Sequence, residues 1–364
     1  MFIQIYRKGS IPFNFSTFST IIFSLNPKQC SLESLICFGL FLLVTSLSPA
    51  QMMPKPDQAP DRTLIISGGG SRVAWAAGFA KALSESGKSY KTVGGTSAGA
   101  LIMSSVALNQ FDELERLFDT ISNSNVYNKN PINKKGRIKV FKTIWRTIWG
   151  KSSVGENKSL RKTLESIFSP LDYLKIQEQQ KTVFCLATSL NTSNKIIKSS
   201  DNTSYRDLLD WIWASASVPV LTAPVEKDGQ SWVDGGLLDN VPIDEGLFDN
   251  PKEIDVIVLF PEEKPYWESQ LKIPRISLRA INIMVYESFR GSIQLGKLMA
   301  QMKKGGRLNI YYMSKDDADF IGNVYSFDKK ILSPSFKKGY HAFFNKTMTL
   351  RTYIIDGLGN IVQE

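Results

Sequence analysis

Gly94-Gly95-Thr96-Ser97-Ala98-Gly99 is the stretch whose reading decides the fold. A short β-prone run, Tyr90-Lys91-Thr92-Val93, precedes it. Apolar residues follow it, Ala100-Leu101-Ile102-Met103 and then Val106-Ala107-Leu108. A serine in G-x-S-x-G between a strand and a helix has the context that a nucleophile elbow requires. Gly95 and Gly99 lack Cβ atoms, so the chain can turn sharply and leave Ser97 Oγ at the tip. The helix behind it aims unpaired N–H groups and a positive dipole end at the place where negative charge will develop. The pentapeptide alone also fits an ordinary small-residue turn, so the rest of the chain has to decide.

Composition narrows the classes. A chain of 364 residues with 43% apolar content can bury one large core or two modest ones. A net charge of +10 makes anionic surfaces the expected neighbours. There is neither zinc-finger spacing nor an RNP-type aromatic motif, which favours a membrane surface over nucleic acid. Cysteine is limited to Cys30, Cys37 and Cys185, and His341 is the single histidine. No disulfide framework, CxxC pair or HExxH motif can be drawn, and no metal site is expected.

Residues 1–50 read as a signal peptide or signal-anchor. Leu35–Leu47 is one apolar run preceded by Arg7, Lys8 and Lys28, and Ser48-Pro49-Ala50 offers small residues for cleavage. The run is short for a bilayer span, so a cleaved signal is the preferred reading. It implies an exported product (periplasmic, secreted or membrane-associated); an uncleaved segment would anchor the chain to the membrane. Residues 51–60 are a Pro-rich linker.

The fold is expected from about residue 61. Thr63–Ser67 is a short apolar, partly β-branched run that suits a buried parallel strand. It runs into Gly68-Gly69-Gly70-Ser71-Arg72 and a helix from about Val73 to Ser84, with Gly87 as its stop. Backbone N–H groups of such a glycine loop can bind phosphate or an oxyanion. A dinucleotide fingerprint would need glycine where Val73 stands, so no nucleotide cofactor is expected.

Residues 111–180 read as a mostly helical insert, with helices over Phe111–Phe118 and, opened by a serine cap, Ser159–Phe168. Between them, Asn133 to Lys151 interleaves Lys134, Lys135, Arg137, Lys139, Lys142 and Arg146 with Trp145, Trp149 and other apolar residues. Such a segment can lie in the headgroup plane as a peripheral membrane contact. A cap helix with its tryptophans turned inward is the simpler alternative. Further on, Thr182–Ser189 reads as a strand, Asn191–Ser200 as a polar hairpin or loop, and Tyr205–Trp213 as a helix. Ala214–Pro219 suits a tight crossing. At Asp234-Gly235-Gly236 an acid at a strand end precedes two glycines that let the backbone turn away and leave the carboxylate projecting. Glu253–Phe260 and Leu308–Met313 read as strands, and Phe336–Met348 as a helix. Strands alternating with helices indicate an α/β fold with a mainly parallel sheet. Residues 61–250 would form the catalytic domain and 251–364 the C-terminal part of the same domain.

Together, the GGGSR loop, GGTSAG one unit later, ASASVP and VDGGLLDNVP resemble the patatin-like phospholipase family over roughly Leu64 to Leu247. The resemblance implies a three-layer α/β/α sandwich and a lipid acyl hydrolase without cofactor, acting on a lipid or phospholipid ester. It implies Ser97 as nucleophile and Asp234 as its base, an oxyanion hole of Gly68, Gly69, Gly70 and Arg72, and an elbow framed by Gly95 and Gly99. The departure is Val73, where the family has the last glycine of its motif.

The chemistry points the same way. A serine hydroxyl needs a base within hydrogen-bond reach, and a solvated carboxylate is a feeble one. Asp234 would have to lie in a dry pocket. The main rival is a Ser97–Asp234–His341 triad, whose chain order matches α/β-hydrolases. His341 sits in Lys338–Phe344, however, which reads as a helix start and not as a loop after a last strand. A catalytically degenerate lipid-binding protein is the alternative from another class, and intact Ser97 and Asp234 speak against it.

Overall fold

In the first strand, β1 (Arg62–Ile66), neighbouring side chains part to opposite faces, as period-2 geometry requires. Leu64 and Ile66 enter one hydrophobic cluster and Ile65 a second. Strand β3 (Thr182–Ser189) repeats the division, with Val183 and Cys185 on one side and Phe184 on the other. Both faces of the sheet are therefore covered, which is why these strands read as continuous apolar runs. The computed structural model describes residues 62–131, 156–247, 250–263, 273–300, 306–356 and 360–364. The 1–50 segment, the 51–60 linker and the basic stretch Asn133 to Lys151 lie outside the described residues.

After β1, the chain forms α1 (Val73–Glu85), β2 (Thr92–Thr96), α2 (Ala98–Ala107), α3 (Phe111–Thr120) and the one-turn α4 (Asn123–Val126). Next come α5 (Lys158–Ile167), α6 (Pro170–Glu178), β3, β4 (Lys195–Ser199), α7 (Tyr205–Ser215), β5 (Val225–Lys227) and β6 (Gln230–Asp234). The last part holds α8 (Ile243–Gly246), β7 (Glu253–Val258), α9 (Ile273–Ala300), β8 (Arg307–Tyr312), α10 (Lys315–Ile321), α11 (Lys329–Phe344), β9 (Thr349–Ile355) and β10 (Ile361–Gln363). Strand pairing runs β10-β9-β8-β7-β1-β2-β3-β6-β5, with β4 also on β3. The pairs among β8, β7, β1, β2 and β3 are parallel, and those involving β4, β5, β6, β9 and β10 are antiparallel. The sheet is thus parallel at its centre and antiparallel towards both ends. Its strands draw on both the 61–250 and the 251–364 portions.

The two clusters give the layers. The first joins the sheet to α1, α2, α3, α7 and α11, with Trp75 stacked on Phe79 at 4.9 Å. Helix α1 is buried almost all round, including Val73 at 3% exposure, so valine is accommodated where the family motif carries glycine. The second cluster packs Phe289 and Ile293 of α9 with Val241 and Ile243 against the opposite face. Two sequence expectations shift. Ser159 lies inside α5, whose N-cap is Asn157. Helix α11 ends at Phe344, short of the expected Met348, and β9 follows from Thr349. The polar Asn191–Ser200 segment forms the hairpin expected of it, with β4 antiparallel to β3.

Register positions the site. Leu186 pairs with Thr96 of β2 on one side and Ile197 of β4 on the other, whereas Ala187 pairs with Ile196 of β4 and Asp234 of β6. Strand β4 therefore holds one edge of β3, and β2 and β6 share the other. They approach from opposite directions and meet C-terminus to C-terminus. Residues 97 and 234, far apart in sequence, are neighbours because consecutive residues of β3 hold their strand ends.

Candidate active site

Ser97 occupies the turn between β2 and α2 with φ 53° and ψ −121°, a conformation costly for a side-chain-bearing residue. Sharp reversal at that point requires bare neighbours. A Cβ on Gly95 would come within 2.5 Å of the Gly99 carbonyl carbon, and one on Gly99 would strike the Ile66 carbonyl oxygen. The elbow expected at Gly95 and Gly99 is a steric necessity here. The Ser97 N–H donates to Ser215 Oγ at 2.9 Å, which fixes the turn from the side.

Asp234 ends β6 and is 6% exposed, beside Ser97 at 8%. Ser97 Oγ donates to Asp234 Oδ2 at 2.5 Å, and the Gly236 N–H donates to Oδ1 at 2.8 Å. The Asp234 N–H donates to the Ser217 carbonyl at 2.9 Å. The small-residue ASASVP stretch thus supports both partners, through Ser215 for Ser97 and Ser217 for Asp234. Burial pushes the Asp234 carboxyl up from 3.8 to about 6, against the lowering effect of its bonds from Ser97 and Gly236.

The glycine loop divides its donors. Gly68 N–H donates to the Asn240 carbonyl at 3.3 Å, and Arg72 N–H to the Gly69 carbonyl at 3.3 Å. Gly69 and Gly70 N–H engage no acceptor among the described residues. Gly70 holds φ +59°, and a Cβ there would collide with the Val324 carbonyl. Of the four residues expected to form an oxyanion hole, Gly68 and Arg72 have their backbone N–H groups engaged, and Gly69 and Gly70 do not. The Arg72 guanidinium donates to the Leu259 carbonyl at 2.9 Å and lies over the Phe260 ring, and burial lowers its pKa to about 10.

A cleft of about 60 Å³ connects these groups. Besides the polar atoms, Val218, Pro219, Leu237, Phe260, Ile281 and Val285 line it. Tyr325 and Asn282, also at its wall, are hydrogen-bonded at 2.9 Å. His341 does not line it. That residue is exposed in the last turn of α11 and stacks edge-on with Tyr340. Among the described residues, one carboxylate group is close enough to hold a metal ion: Asp239, Asp244 and Glu245. The Lys195 ammonium already stands among them, at 2.8, 3.1 and 2.6 Å. The sequence marks the ASASVP and VDGGLLDNVP stretches that hold Ser215 and Asn240 but assigns neither residue a role, and it does not single out Tyr325.

A strained serine hydrogen-bonded to a buried acid thus sits beside two unengaged amides on an α/β/α sandwich. The profile of the patatin-like phospholipase family matches residues 64–247, a span that contains Ser97, Asp234 and the glycine loop but not the cleft residues Phe260, Ile281, Asn282, Val285, Val324 and Tyr325. The chain belongs to that family. It is 28% identical over 190 residues to lysophospholipase NTE1 of Kluyveromyces lactis and 26% identical over 190 residues to that of Saccharomyces cerevisiae. Each alignment covers 50% of this chain, and 11% and 10% of the respective relatives, so the chain spans about a tenth of their length. Among solved structures, VipD from Legionella pneumophila is similar at a TM-score of 0.35 and 14% identity, over 79% of this chain and 67% of that one.

Proposed function

We propose that the protein is a lipid acyl hydrolase that cleaves carboxylic esters through an acyl-Ser97 intermediate, with Asp234 as base. The observation that carries this is the Ser97–Asp234 hydrogen bond to an acid that burial makes more basic. Ser97 Oγ attacks the ester carbonyl carbon as its proton passes to Asp234 Oδ2. Negative charge on the carbonyl oxygen is met by the Gly69 and Gly70 amides and the N-terminus of α2. Collapse breaks the acyl–oxygen bond, and Asp234 returns the proton to the departing alcohol. Water, deprotonated by Asp234, then hydrolyses the acyl-serine and restores both groups.

The cleft's apolar lining suits an acyl chain, and the name of the fungal relatives makes lysophospholipid the first substrate to test. No helix among the described residues is long and apolar enough to cross a membrane. The Asn133 to Lys151 stretch supplies cations and tryptophans that anionic headgroups attract, and peripheral membrane contact there, with export directed by the 1–50 segment, belongs to the same proposal. The test is purified full-length protein assayed on lysophospholipid, phospholipid and short p-nitrophenyl esters, beside Ser97→Ala and Asp234→Ala. Covalent capture of a fluorophosphonate by the wild type and not by Ser97→Ala is the expected result. Absence of both turnover and labelling would reject the reading.

A further inference from the structure

One buried donor at the cleft has no partner. Asn240 is 1% exposed and lines the cleft beside Ser97, yet its Nδ2 has no hydrogen-bond acceptor. Its backbone is pinned on both sides: the N–H donates to Ser288 Oγ of α9 at 3.0 Å, and the carbonyl accepts from Gly68. Its Oδ1 faces two bare backbones. A Cβ built on Gly68 would strike that oxygen while coming within 3.0 Å of Ser97 Cβ, and one built on Gly236 would meet it at 2.8 Å. The amide oxygen is thus turned to glycine Cα–H groups, contacts that suit an acceptor and offer nothing to a donor. With the amide oxygen turned to those groups, the amide nitrogen is the end of the side chain that has no partner.

An unpaired buried N–H₂ costs free energy and demands a reason. Here the reason lies in what the neighbouring atoms do. Asn240 stands between the glycine loop that offers the Gly69 and Gly70 amides and the Asp234-Gly235-Gly236 turn that carries the base. On the acyl-hydrolase reading proposed above, we infer that Asn240 Nδ2 is a third donor to the reacting ester. It takes the carbonyl oxygen as its acceptor and binds that oxygen more strongly as negative charge accumulates on it. A donor held rigidly by its own backbone costs no reorganisation when the charge develops, which gives such groups their catalytic weight.

The experiment compares wild type, Asn240→Ala and the near-isosteric Asn240→Asp in hydrolysis of a short p-nitrophenyl ester, in the rate of fluorophosphonate capture and in thermal unfolding. Loss of the donor is expected to lower kcat by about 10²–10³ with KM changed little. Capture should slow in parallel, because the phosphonyl oxygen takes the place of the carbonyl oxygen. The midpoint of the pH–kcat profile should stay where the wild type has it in Asn240→Ala, since Asp234 keeps both of its hydrogen bonds. Asn240→Asp guards against a folding defect: it preserves shape but offers an acceptor to the developing charge, so it should be at least as impaired. The inference is overturned if folded Asn240→Ala keeps kcat within threefold of wild type, or if its loss falls on KM alone. A displaced pH midpoint in Asn240→Ala would likewise overturn it, by showing that Asn240 acts through Asp234. A wild type that neither turns over nor is captured removes the hydrolase reading and this inference together. An active wild type with an unimpaired Asn240→Ala removes this inference only.

Discussion

Asp234 and Asp255 are both buried acids on one sheet, and their surroundings are opposite. Asp255, at 0% exposure in β7, receives Lys88 Nζ at 2.8 Å, Tyr90 Oη at 2.8 Å and Asn309 Nδ2 at 2.8 Å. The adjacent Glu253 is lowered below its ordinary value: burial raises it, and bonds from Lys88 and Arg62 outweigh that rise. Asp234 has a hydroxyl and one amide instead, with no cation among its perturbing groups. The first acid is compensated and holds the fold together. The second is left uncompensated, which destabilises its charged form and keeps its proton affinity near neutrality. Burial alone therefore says nothing about role, and the presence or absence of a cation does.

The strongest way to break this contrast is to remove the chemistry. Ser97→Ala or Asp234→Asn should reduce ester hydrolysis by roughly 10⁴-fold or more, the scale seen when one member of a nucleophile–base unit is lost. The corresponding changes at Lys88 should leave kcat per folded molecule near wild type. Activity of Asp234→Asn within tenfold of wild type would mean that Asp234 is not the base.

Stability should move the other way. Lys88→Met strands Asp255 without its cation, leaves Glu253 with Arg62 alone, and should cost roughly 3 kcal/mol or more in denaturant unfolding at neutral pH. Asp234→Asn should instead stabilise. Asp234 rises from 3.8 to about 6 on folding, so it binds its proton more tightly in the native state. Its contribution is fully present below about pH 4 and lost as pH rises through about 6, a difference of roughly 3 kcal/mol at most. The variant's advantage should appear at pH 8 and vanish at pH 3.5. Equal destabilisation of both variants would erase the distinction between the two acids.

The same carboxyl sets the pH dependence of turnover. Only ionised Asp234 can take the Ser97 proton, so kcat should fall about tenfold for each pH unit below about 6 and level off above it. A flat profile from pH 4.5 to 8 would contradict the dyad.

Much of this was legible in the sequence, because the informative features are local. Thr182–Ser189 carries the unbroken apolar run Val183–Ala187 and forms β3 over those residues. The glycines around Ser97 announce a turn whose geometry only glycine permits. The Asp234-Gly235-Gly236 motif locates the acid. What sequence alone leaves open is any relation set by register: that β2 and β6 share one edge of β3 depends on pairings between residues scattered over the chain. The division of labour in the glycine loop is equally hidden, since the carbonyl that engages Gly68 comes from Asn240. The C-terminal strand β9 (Thr349–Ile355) alternates poorly, with Leu350 exposed, so its period-2 signal is weak.

The smallest effect belongs to the residue that chain order would nominate as the third member of a triad. A histidine that relayed a proton from Ser97 would have to contact Ser97 Oγ, but Asp234 Oδ2 already accepts from that oxygen at 2.5 Å. His341 is instead exposed on α11, edge-on to Tyr340, and neither of the two lines the cleft. Its imidazole falls in the last turn of the helix, where a cation would interact favourably with the dipole and contribute a few tenths of a kcal/mol. His341→Ala should accordingly leave kcat and KM within about twofold of wild type and shift unfolding by less than about 1 kcal/mol. A fall of several orders of magnitude in the ester assay would transfer the base from the buried acid to the imidazole, and the contrast between Asp234 and Asp255 would lose its functional meaning.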